Sequence, residues 1–210
     1  YYDDGIAILS PDGNTIFSKS VSNILIENGL KYLLFSVETG HGLPMPRTHD
    51  PIHLNDIEPV NQDGPFWKKG DVFLSLRHQS MIILYRPSTN KILKTLKGPF
   101  SHQHDVNIIN DHQISIFNNR SINIYNGNKI EDGYSEVLIY DFKLDETSSY
   151  LKNSFIENNI FTSRGGRSKI LNNKDLIVET DDQGSIFYIA KNGKLIWHYL
   201  NKANNGNVYK

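Results

Sequence analysis

The chain contains no cysteine among its 210 residues. This absence excludes disulfide bonds, thiol nucleophiles and zinc sites with thiolate ligands, and it fits an oxidising compartment as well as a reducing one. An excess of basic residues is also lacking, because 22 Lys and Arg stand against 23 Asp and Glu. Since nucleic-acid binding needs clustered cations to neutralise phosphates, no nucleic-acid partner is expected.

Long apolar runs are missing as well. The longest candidates are short segments such as Met81 to Tyr85, whereas a membrane helix needs roughly 20 apolar residues, so no membrane span is expected. The first residues, Tyr1 to Asp4, show neither an initiator methionine nor a basic-then-apolar signal pattern. We therefore expect that processing or truncation has removed the original start of the chain.

The most informative feature that is present is internal repetition. A β-rich run, a turn and a second β-rich run recur four times, and Asp-Gly, Thr-Asn or Asn-Gly supplies the turn in three of these hairpins. The hairpins span residues 5–17, 80–93, 135–147 and 184–197. The last three are each preceded by another strand pair: 51–60 with 71–77, 104–109 with 113–118, and 167–171 with 175–180.

Four strands per unit, repeated in series, are typical of the blades of a β-propeller. A sandwich would not require the same four-strand unit three times. We expect residues 1–210 to be a single all-β propeller domain with about three full four-stranded blades, a partial one, and one inserted helix at Val21 to Phe35 capped by Ser20 or Ser22. Because propellers typically close with 4 to 8 blades, we expect this ring to be incomplete and the chain to belong to a larger protein.

Polar residues at the start of the innermost strands are the first candidates for a site. These strands are expected to begin at His53, His104 and Arg167, and matching positions in successive blades converge on the central channel. Two imidazoles and a guanidinium need partners when they are desolvated. Arg167 and the adjacent Ser168 are therefore candidate substrate-binding residues.

The next strand and the aromatic residues add further candidates. Arg77 offers a planar fork of donors that suits a tetrahedral oxyanion, and strand alternation would put His78 on the opposite face. Asn55 shares the face of His53 and could donate to a sulfuryl oxygen or orient an imidazole. Trp67, with its neighbour Phe66, could line an aryl pocket near the channel mouth.

Three segments resemble the His-x-Asn, Ser-x-Arg-His and Gln-His motifs of the arylsulfotransferase family. They read Asp50-Pro-Ile-His-Leu-Asn-Asp-Ile, Gly70-Asp-Val-Phe-Leu-Ser-Leu-Arg-His-Gln-Ser and Gly98-Pro-Phe-Ser-His-Gln-His-Asp. The resemblance implies a propeller enzyme that moves a sulfuryl group from an aryl sulfate to a phenol, through a sulfated histidine and without a nucleotide donor. It also implies a periplasmic or secreted location.

Carried over residue by residue, the resemblance makes His104 the nucleophile, pairs His53 with Asn55, and makes Arg77 the clamp on the sulfuryl oxygens. A neutral imidazole nitrogen is a competent nucleophile, and His53 would be a donor to the leaving phenolate or a general acid. No cofactor is expected. A metal site built from His49, Asp50, His53 and Asp56 fits no standard zinc or calcium spacing, so no metal is expected either.

Structural roles for the same residues stay open at this stage. His104 could be a turn histidine paired with Asp105, Arg77 could tie adjacent blades together, and His102, His112 and His198 are interpreted as structural or surface residues. The alternative function is a noncatalytic propeller that binds an anionic or carbohydrate ligand or a protein partner, since one fold hosts many functions. A homo-oligomer is an open alternative to a monomer.

Overall fold

The computed structural model describes residues 3–34, 50–123, 129–204 and 206–208. Short antiparallel strands dominate these residues, and two short helices accompany them. The strands are β1 Gly5–Leu9, β2 Thr15–Ser20, β3 Leu54–Pro59, β4 Val72–Leu76, β5 Met81–Arg86, β6 Lys91–Lys97, β7 His104–Ile108, β8 Gln113–Asn118, β9 Ser121–Asn123, β10 Lys129–Glu131, β11 Glu136–Asp141, β12 Glu146–Tyr150, β13 Arg167–Ile170, β14 Leu176–Thr180, β15 Ser185–Ile189 and β16 Leu195–Leu200. The helices are α1 Val21–Glu27 and α2 Lys152–Glu157.

The strands form three four-stranded sheets in series, which confirms the predicted repeat. Blade 1 has the order β3-β4-β5-β6, blade 2 the order β7-β8-β11-β12, and blade 3 the order β13-β14-β15-β16. Strands β1 and β2 form a separate two-stranded sheet, which is the predicted partial blade, and β9 and β10 pair as a hairpin inserted in blade 2. The first strand of each blade, namely β3, β7 or β13, is called its inner strand below.

Apolar side chains on both faces of the blades create three successive cores. Along β4, Leu74 and Leu76 join α1 in the first core, whereas Phe73 points the other way into the second, as the two-residue period of a strand requires. The second core lies between blades 1 and 2, and the third lies between blades 2 and 3. Blades 1 and 2 thus bury both faces and blade 3 buries the face towards blade 2, an all-β propeller arrangement.

Aspartate carboxylates tie each inner strand, at or near its start, to an earlier part of the chain. In three places an aspartate oxygen accepts the backbone N–H of a residue at or near the start of the following inner strand, and we call these three bonds the carboxylate clips. They join Asp4 to Leu54 (2.8 Å), Asp56 to Val106 (2.7 Å) and Asp105 to Ser168 (2.7 Å). When such a carboxylate is ionised, it accepts a backbone N–H more strongly than a neutral carbonyl oxygen does.

The helical segment differs from its prediction. Helix α1 starts at Val21, where the Ser20 hydroxyl accepts the Asn23 N–H (3.1 Å), so Ser20 is the N-cap. The predicted end at Phe35 lies outside the described residues, and α1 ends at Glu27, because Gly29 takes a positive φ of 79°. A 3-10 turn follows at Lys31–Leu34. Its apolar residues continue the helical spacing in the sequence, which is why the helix was predicted to be longer. Neither helix in the described ranges is long and apolar enough to cross a membrane.

The clip aspartate Asp56 generates a test of stability against pH. Burial raises the pKa of Asp56 to about 6, and the nearby Asp105 and Glu58 carboxylates add to this effect. Its folded pKa is thus above the ordinary unfolded value, so its contribution to the free energy of unfolding is greatest at low pH and is lost as pH rises through 6. Asp56→Asn keeps an oxygen for the Val106 N–H without the charge. We expect it to raise the free energy of unfolding at pH 8 by up to about 3 kcal/mol, with little difference from the parent near pH 4.

Thermal unfolding of the protein and of Asp56→Asn between pH 4 and pH 8 measures this effect. Asp12→Asn is the matched control, because Asp12 is exposed in the turn between β1 and β2. If Asp56→Asn is no more stable than the parent at pH 8 and shows the same pH slope, the buried carboxylate is not the source of the pH dependence.

Candidate functional site

Histidines gather where the inner strands of blades 1 and 2 begin and their second strands end. Antiparallel pairing brings the start of β3 next to the end of β4, and the start of β7 next to the end of β8. The inner strands β3 and β7 are themselves neighbours. The resulting group, called the histidine cluster below, consists of Asp50, His53, Arg77, His78, His102, His104 and Asn119.

One carboxylate holds both the backbone and the ring of His53. Asp50 Oδ1 accepts the His53 N–H (2.9 Å), and Asp50 Oδ2 lies 2.5 Å from His53 Nδ1. This turn lets His53 adopt a φ of 53°, a left-handed conformation in which histidine is enriched. The ring is therefore pinned through Nδ1, and Nε2 makes no hydrogen bond to the described residues. β3 starts at Leu54, one residue after the position predicted for its start.

His78 packs against His53 as part of the same arrangement. The two ring centroids are 4.5 Å apart, and His78 Nδ1 bonds the backbone oxygen of Asp50 (2.7 Å). Burial is the main cause that lowers the pKa of His78, and the charges of His53 and Arg77 act in the same direction, against the Asp50 hydrogen bond. His78 therefore remains neutral near pH 7 and adds a second imidazole beside His53.

His104 is the best oriented imidazole of the cluster. Its Nδ1 lies 2.7 Å from Asn119 Oδ1 and 3.0 Å from the backbone oxygen of His102. Burial is the main cause that lowers the pKa of His104, and the positive charges of Arg77 and His53 lower it further, whereas the bond to Asn119 raises it. At neutral pH the ring is therefore uncharged, and its Nε2 is the nitrogen that carries no bond to the described residues.

Arg77 places a buried positive charge beside these rings. It is only 6% exposed and follows the last residue of β4, in a short turn formed by Arg77–Gln79. The turn also explains a difference from the sequence prediction, which put Arg77 and His78 on opposite faces of a strand. Because β4 ends at Leu76, strand alternation no longer applies, and Arg77 and His78 both lie within electrostatic range of the cluster.

Asn55, which the sequence predicts to donate to a ligand oxygen or to orient an imidazole, lies at the edge of the cluster. Its Nδ2 donates to the backbone oxygen of Gln103 (2.8 Å), so the amide ties β3 to the residue before His104. Its Oδ1 is buried and has no hydrogen-bond partner among the described residues. Asn55 is also the bulged residue of β3, and a bulge redirects the side chains that follow it.

Arg167 and Ser168 lie on blade 3. Ser168 is buried and belongs to a carboxylate clip, because its N–H donates to Asp105 Oδ2 (2.7 Å). Its hydroxyl makes no hydrogen bond within the described ranges. Arg167 is exposed; burial raises the pKa of Asp105, and the charge of Arg167 partly opposes that rise. Only Arg167 of this pair presents its side chain to solvent.

Trp67 lies away from the histidine cluster. It follows the far end of β3, a strand of six residues, which corresponds to roughly 20 Å. It is 3% exposed and packs edge-on against Phe73 (5.5 Å between ring centroids) and Phe142 (5.2 Å). The ring is thus core material between blades 1 and 2, and it presents no face for an aryl ligand at the cluster.

Asn119 is a member of the cluster that the sequence analysis missed. The residues considered for a metal site are also placed differently from the sequence expectation. Of the two roles expected for His102, structural or surface, its 2% exposure agrees with the structural one, and its backbone oxygen contacts the ring of His104. His49 lies outside the described residues, and Asp56 forms a clip instead. The remaining pair, Asp50 and His53, has potential ligand atoms within 4.8 Å of those of His78, but Asp50 and His53 already bond one another directly.

Comparisons with known proteins place this architecture. The family described as Arylsulfotransferase (ASST) matches residues 1–202. A comparison with curated proteins found no match. Among solved structures, the chain is similar to a protein of unknown function from Bacteroides caccae, with 12% identity, a TM-score of 0.48, and coverage of 96% of this chain and 59% of that one. It is also similar to the WD40 β-propeller domain of Doa1, with 14% identity, a TM-score of 0.43, and coverage of 74% and 46%.

A third similar structure is hydrazine synthase from Kuenenia stuttgartiensis, with 10% identity, a TM-score of 0.42, and coverage of 77% of this chain and 38% of that one. The chain thus spans between 38% and 59% of the length of these three structures.

The position of Arg77 predicts a measurable change at His104. Replacing Arg77 by Met removes a positive charge that lowers the pKa of His104, so that pKa should rise towards the ordinary histidine value. Arg77→Lys keeps the charge and should leave the pKa low. An NMR titration of the His104 ring in both variants measures the difference. An unchanged His104 pKa in a folded Arg77→Met protein would show that the two groups do not interact.

Proposed function

This chain belongs to the arylsulfotransferase family, and from that premise we propose that it transfers a sulfuryl group from an aryl sulfate to a phenolic acceptor. The transfer passes through a covalent sulfohistidine and uses no nucleotide sulfate donor. The observation that carries the proposal is the uncharged imidazole of His104, held through Nδ1, beside the buried guanidinium of Arg77. Because the chain spans at most 59% of the similar solved structures, the activity of the whole protein is part of the proposal.

In the first half-reaction, the Nε2 lone pair of His104 attacks the sulfur of the aryl sulfate. The new N–S bond forms as the bond from sulfur to the aryl oxygen breaks, and the electron pair leaves with that oxygen. His53 in its protonated form donates its Nε2 proton to the departing oxygen, and a phenol is released. Asp50 supports this step because it holds His53 Nδ1 at 2.5 Å and fixes the direction of Nε2.

Arg77 stabilises the charge that the sulfuryl oxygens carry during transfer. Sulfuryl transfer resembles phosphoryl transfer in its loose transition state, so positioning and positive donors supply most of the acceleration. A guanidinium fork matches two oxygens of a tetrahedral anion, and burial strengthens the interaction because water competes less. His78 packs behind His53 and limits the ring positions that His53 can take.

In the second half-reaction, a phenolic acceptor occupies the place of the product phenol. His53, now without its proton, accepts the hydroxyl proton of the acceptor while the acceptor oxygen attacks sulfur. The N–S bond breaks, and its electron pair returns to His104 Nε2. This order of events is ping-pong, because the donor product leaves before the acceptor reacts.

Three further assignments belong to the proposal. Residues 1–210 form one propeller domain, whose blades place the cluster at one end of the channel. Arg167, exposed at the start of the inner strand of blade 3, attracts the anionic donor towards that end. Members of the family typically act outside the cytoplasm, and we assign this protein a periplasmic or secreted location on that basis.

Mass spectrometry of the protein after brief exposure to 4-nitrophenyl sulfate tests the covalent step. One added sulfuryl group should appear on the peptide that contains His104 and disappear when phenol is added. His104→Ala should abolish it. His112→Ala is the matched control, because His112 lies at the opposite end of β8, and it should leave the adduct intact. A folded protein that forms no adduct with several donors would instead favour the noncatalytic anion-binding propeller.

The role of Asp50 and His53 predicts a dependence on the leaving group. Asp50→Asn weakens the hydrogen bond that orients His53. The rate of adduct formation should therefore fall most for donors whose phenolate needs a proton in order to leave. We expect a loss on the order of 10²-fold for phenyl sulfate and a much smaller loss for 4-nitrophenyl sulfate, whose phenolate leaves without help. Single-turnover rates of adduct formation measure both. Equal losses for the two donors would show that Asp50 and His53 do not assist the leaving group.

A further inference from the structure

Asn119 is a buried amide whose hydrogen bonds all have defined directions. It follows the last residue of β8 and is completely buried. Its Nδ2 donates to the backbone oxygens of Thr162 (2.9 Å) and Gly165 (2.7 Å), and its Oδ1 lies 2.7 Å from His104 Nδ1. The sequence analysis assigned no role to this residue.

These partners decide which way the amide points. Carbonyl oxygens can only accept hydrogen bonds, so the two acceptors Thr162 and Gly165 require the NH₂ group of Asn119. A rotated amide would set its oxygen against two carbonyl oxygens, and its NH₂ group would lose both of these acceptors in exchange for a single one, an unprotonated His104 Nδ1. The Asn119 oxygen must therefore face His104, and because that oxygen only accepts, His104 Nδ1 must carry a proton.

A second acceptor on the same nitrogen supports this assignment. The backbone oxygen of His102 lies 3.0 Å from His104 Nδ1, so two oxygens face that nitrogen and neither can donate to it. The neutral ring is consequently the tautomer with hydrogen on Nδ1. Its lone pair is on Nε2, the nitrogen that makes no hydrogen bond to the described residues.

We propose that Asn119 is a positioning residue that keeps the proton on His104 Nδ1 through both half-reactions, so that the ring attacks through Nε2 and later departs as neutral imidazole. This inference rests on the proposed sulfuryl transfer. When Nε2 bonds to sulfur, the ring becomes a cation that retains its Nδ1 proton, and Asn119 and His102 accept the strengthened hydrogen bond. When the acceptor oxygen attacks sulfur, the N–S electron pair returns to Nε2 and neutral imidazole is released. Without the Nδ1 proton the departing group would be an imidazolate anion, which is a far poorer leaving group.

Two glycines of blade 3 allow this contact. Gly165 and Gly166 have positive φ values of 63° and 94°. A Cβ on Gly166 would lie 2.5 Å from the ring of Phe117, and a Cβ on Gly165 would lie 2.9 Å from the Cβ of Asp181, both too close for real atoms. The Gly-Gly pair therefore lets the blade 3 loop approach the end of β8 closely enough for its carbonyls to reach Asn119.

The first measurement is the ring tautomer of His104 in the unmodified protein without substrate. A two-bond ¹H–¹⁵N correlation spectrum at pH 7.5 to 8 distinguishes the two tautomers, and we expect the Nδ1–H form. A spectrum dominated by the Nε2–H form would overturn the proposal. This measurement depends neither on any variant nor on activity, so it separates a failure of this inference from a failure of the proposed function.

The second measurement uses Asn119→Leu, which has a similar volume but no polar atoms. We expect a mixture of tautomers and a slower discharge of preformed sulfated His104 to phenol, by on the order of 10²- to 10⁴-fold. Within the described part of the chain, the groups whose charge lowers the pKa of His104 are Arg77 and His53, and both remain in this variant. Because the bond to Asn119 raises the pKa of His104, the acid limb of the rate of adduct formation should move to lower pH.

Ser135→Ala is the control for simple damage to the loop. The Ser135 hydroxyl bonds the same Thr162 backbone but does not contact His104. It should lower stability slightly and leave the tautomer, the discharge rate and the pH profile unchanged. If Asn119→Leu behaves like Ser135→Ala in all three readouts, Asn119 has only a structural role. If no sulfated histidine forms even in the unmodified protein, the proposed function fails while the tautomer assignment still stands or falls on the spectrum.

Discussion

The carboxylate clips are the interaction on which the rest of the structure depends. Apolar cores hold neighbouring blades face to face, but such contacts are non-directional and would tolerate small slips of one sheet on another. A hydrogen bond from Val106 N–H to Asp56, or from Ser168 N–H to Asp105, has a required direction and length. The clips therefore fix the position of one inner strand relative to the next along the strand direction. This position decides which side chains of neighbouring blades lie beside one another.

The histidine cluster is a consequence of that alignment. Asp105 is the bulged residue of β7 and takes a φ of 48°. Its carboxylate bonds Ser168 of blade 3, whereas the ring of His104, one residue earlier, bonds Asn119 in the cluster. The residue that fastens blade 2 to blade 3 is thus the immediate neighbour of the proposed nucleophile. Asn55 does the corresponding work between blades 1 and 2, because its amide holds the backbone of Gln103 just before His104. The residues that join the blades and the residues that form the cluster are therefore immediate neighbours along the chain.

Sequence patterns predicted the fold well because its determinants are local. The left-handed Asn90 that ends one hairpin turn, the alternation along β4 and the four-strand repeat are all readable over a few residues. The helix was predicted too long because the apolar pattern continued past Gly29. The motif residues His53, Arg77 and His104 could be nominated individually. Asn119 could not, because its partners Thr162 and Gly165 lie 43 and 46 residues further along the chain, and only the packing of blade 3 on blade 2 brings them together.

The histidine cluster is built from blades 1 and 2 and is oriented by the loop before blade 3. His53 and Arg77 come from blade 1, His104 and Asn119 from blade 2, and the carbonyls that orient Asn119 from the loop that opens blade 3. A copy of blade 2 alone would bring a second His104 and a second Asn119, but it would bring neither Arg77, which follows β4, nor the Gly165 carbonyl, which precedes β13. The structural repeat of this fold is therefore the four-stranded blade, whereas the histidine cluster is assembled from residues of neighbouring blades. Duplication of one blade would therefore add strands without adding a second complete histidine cluster.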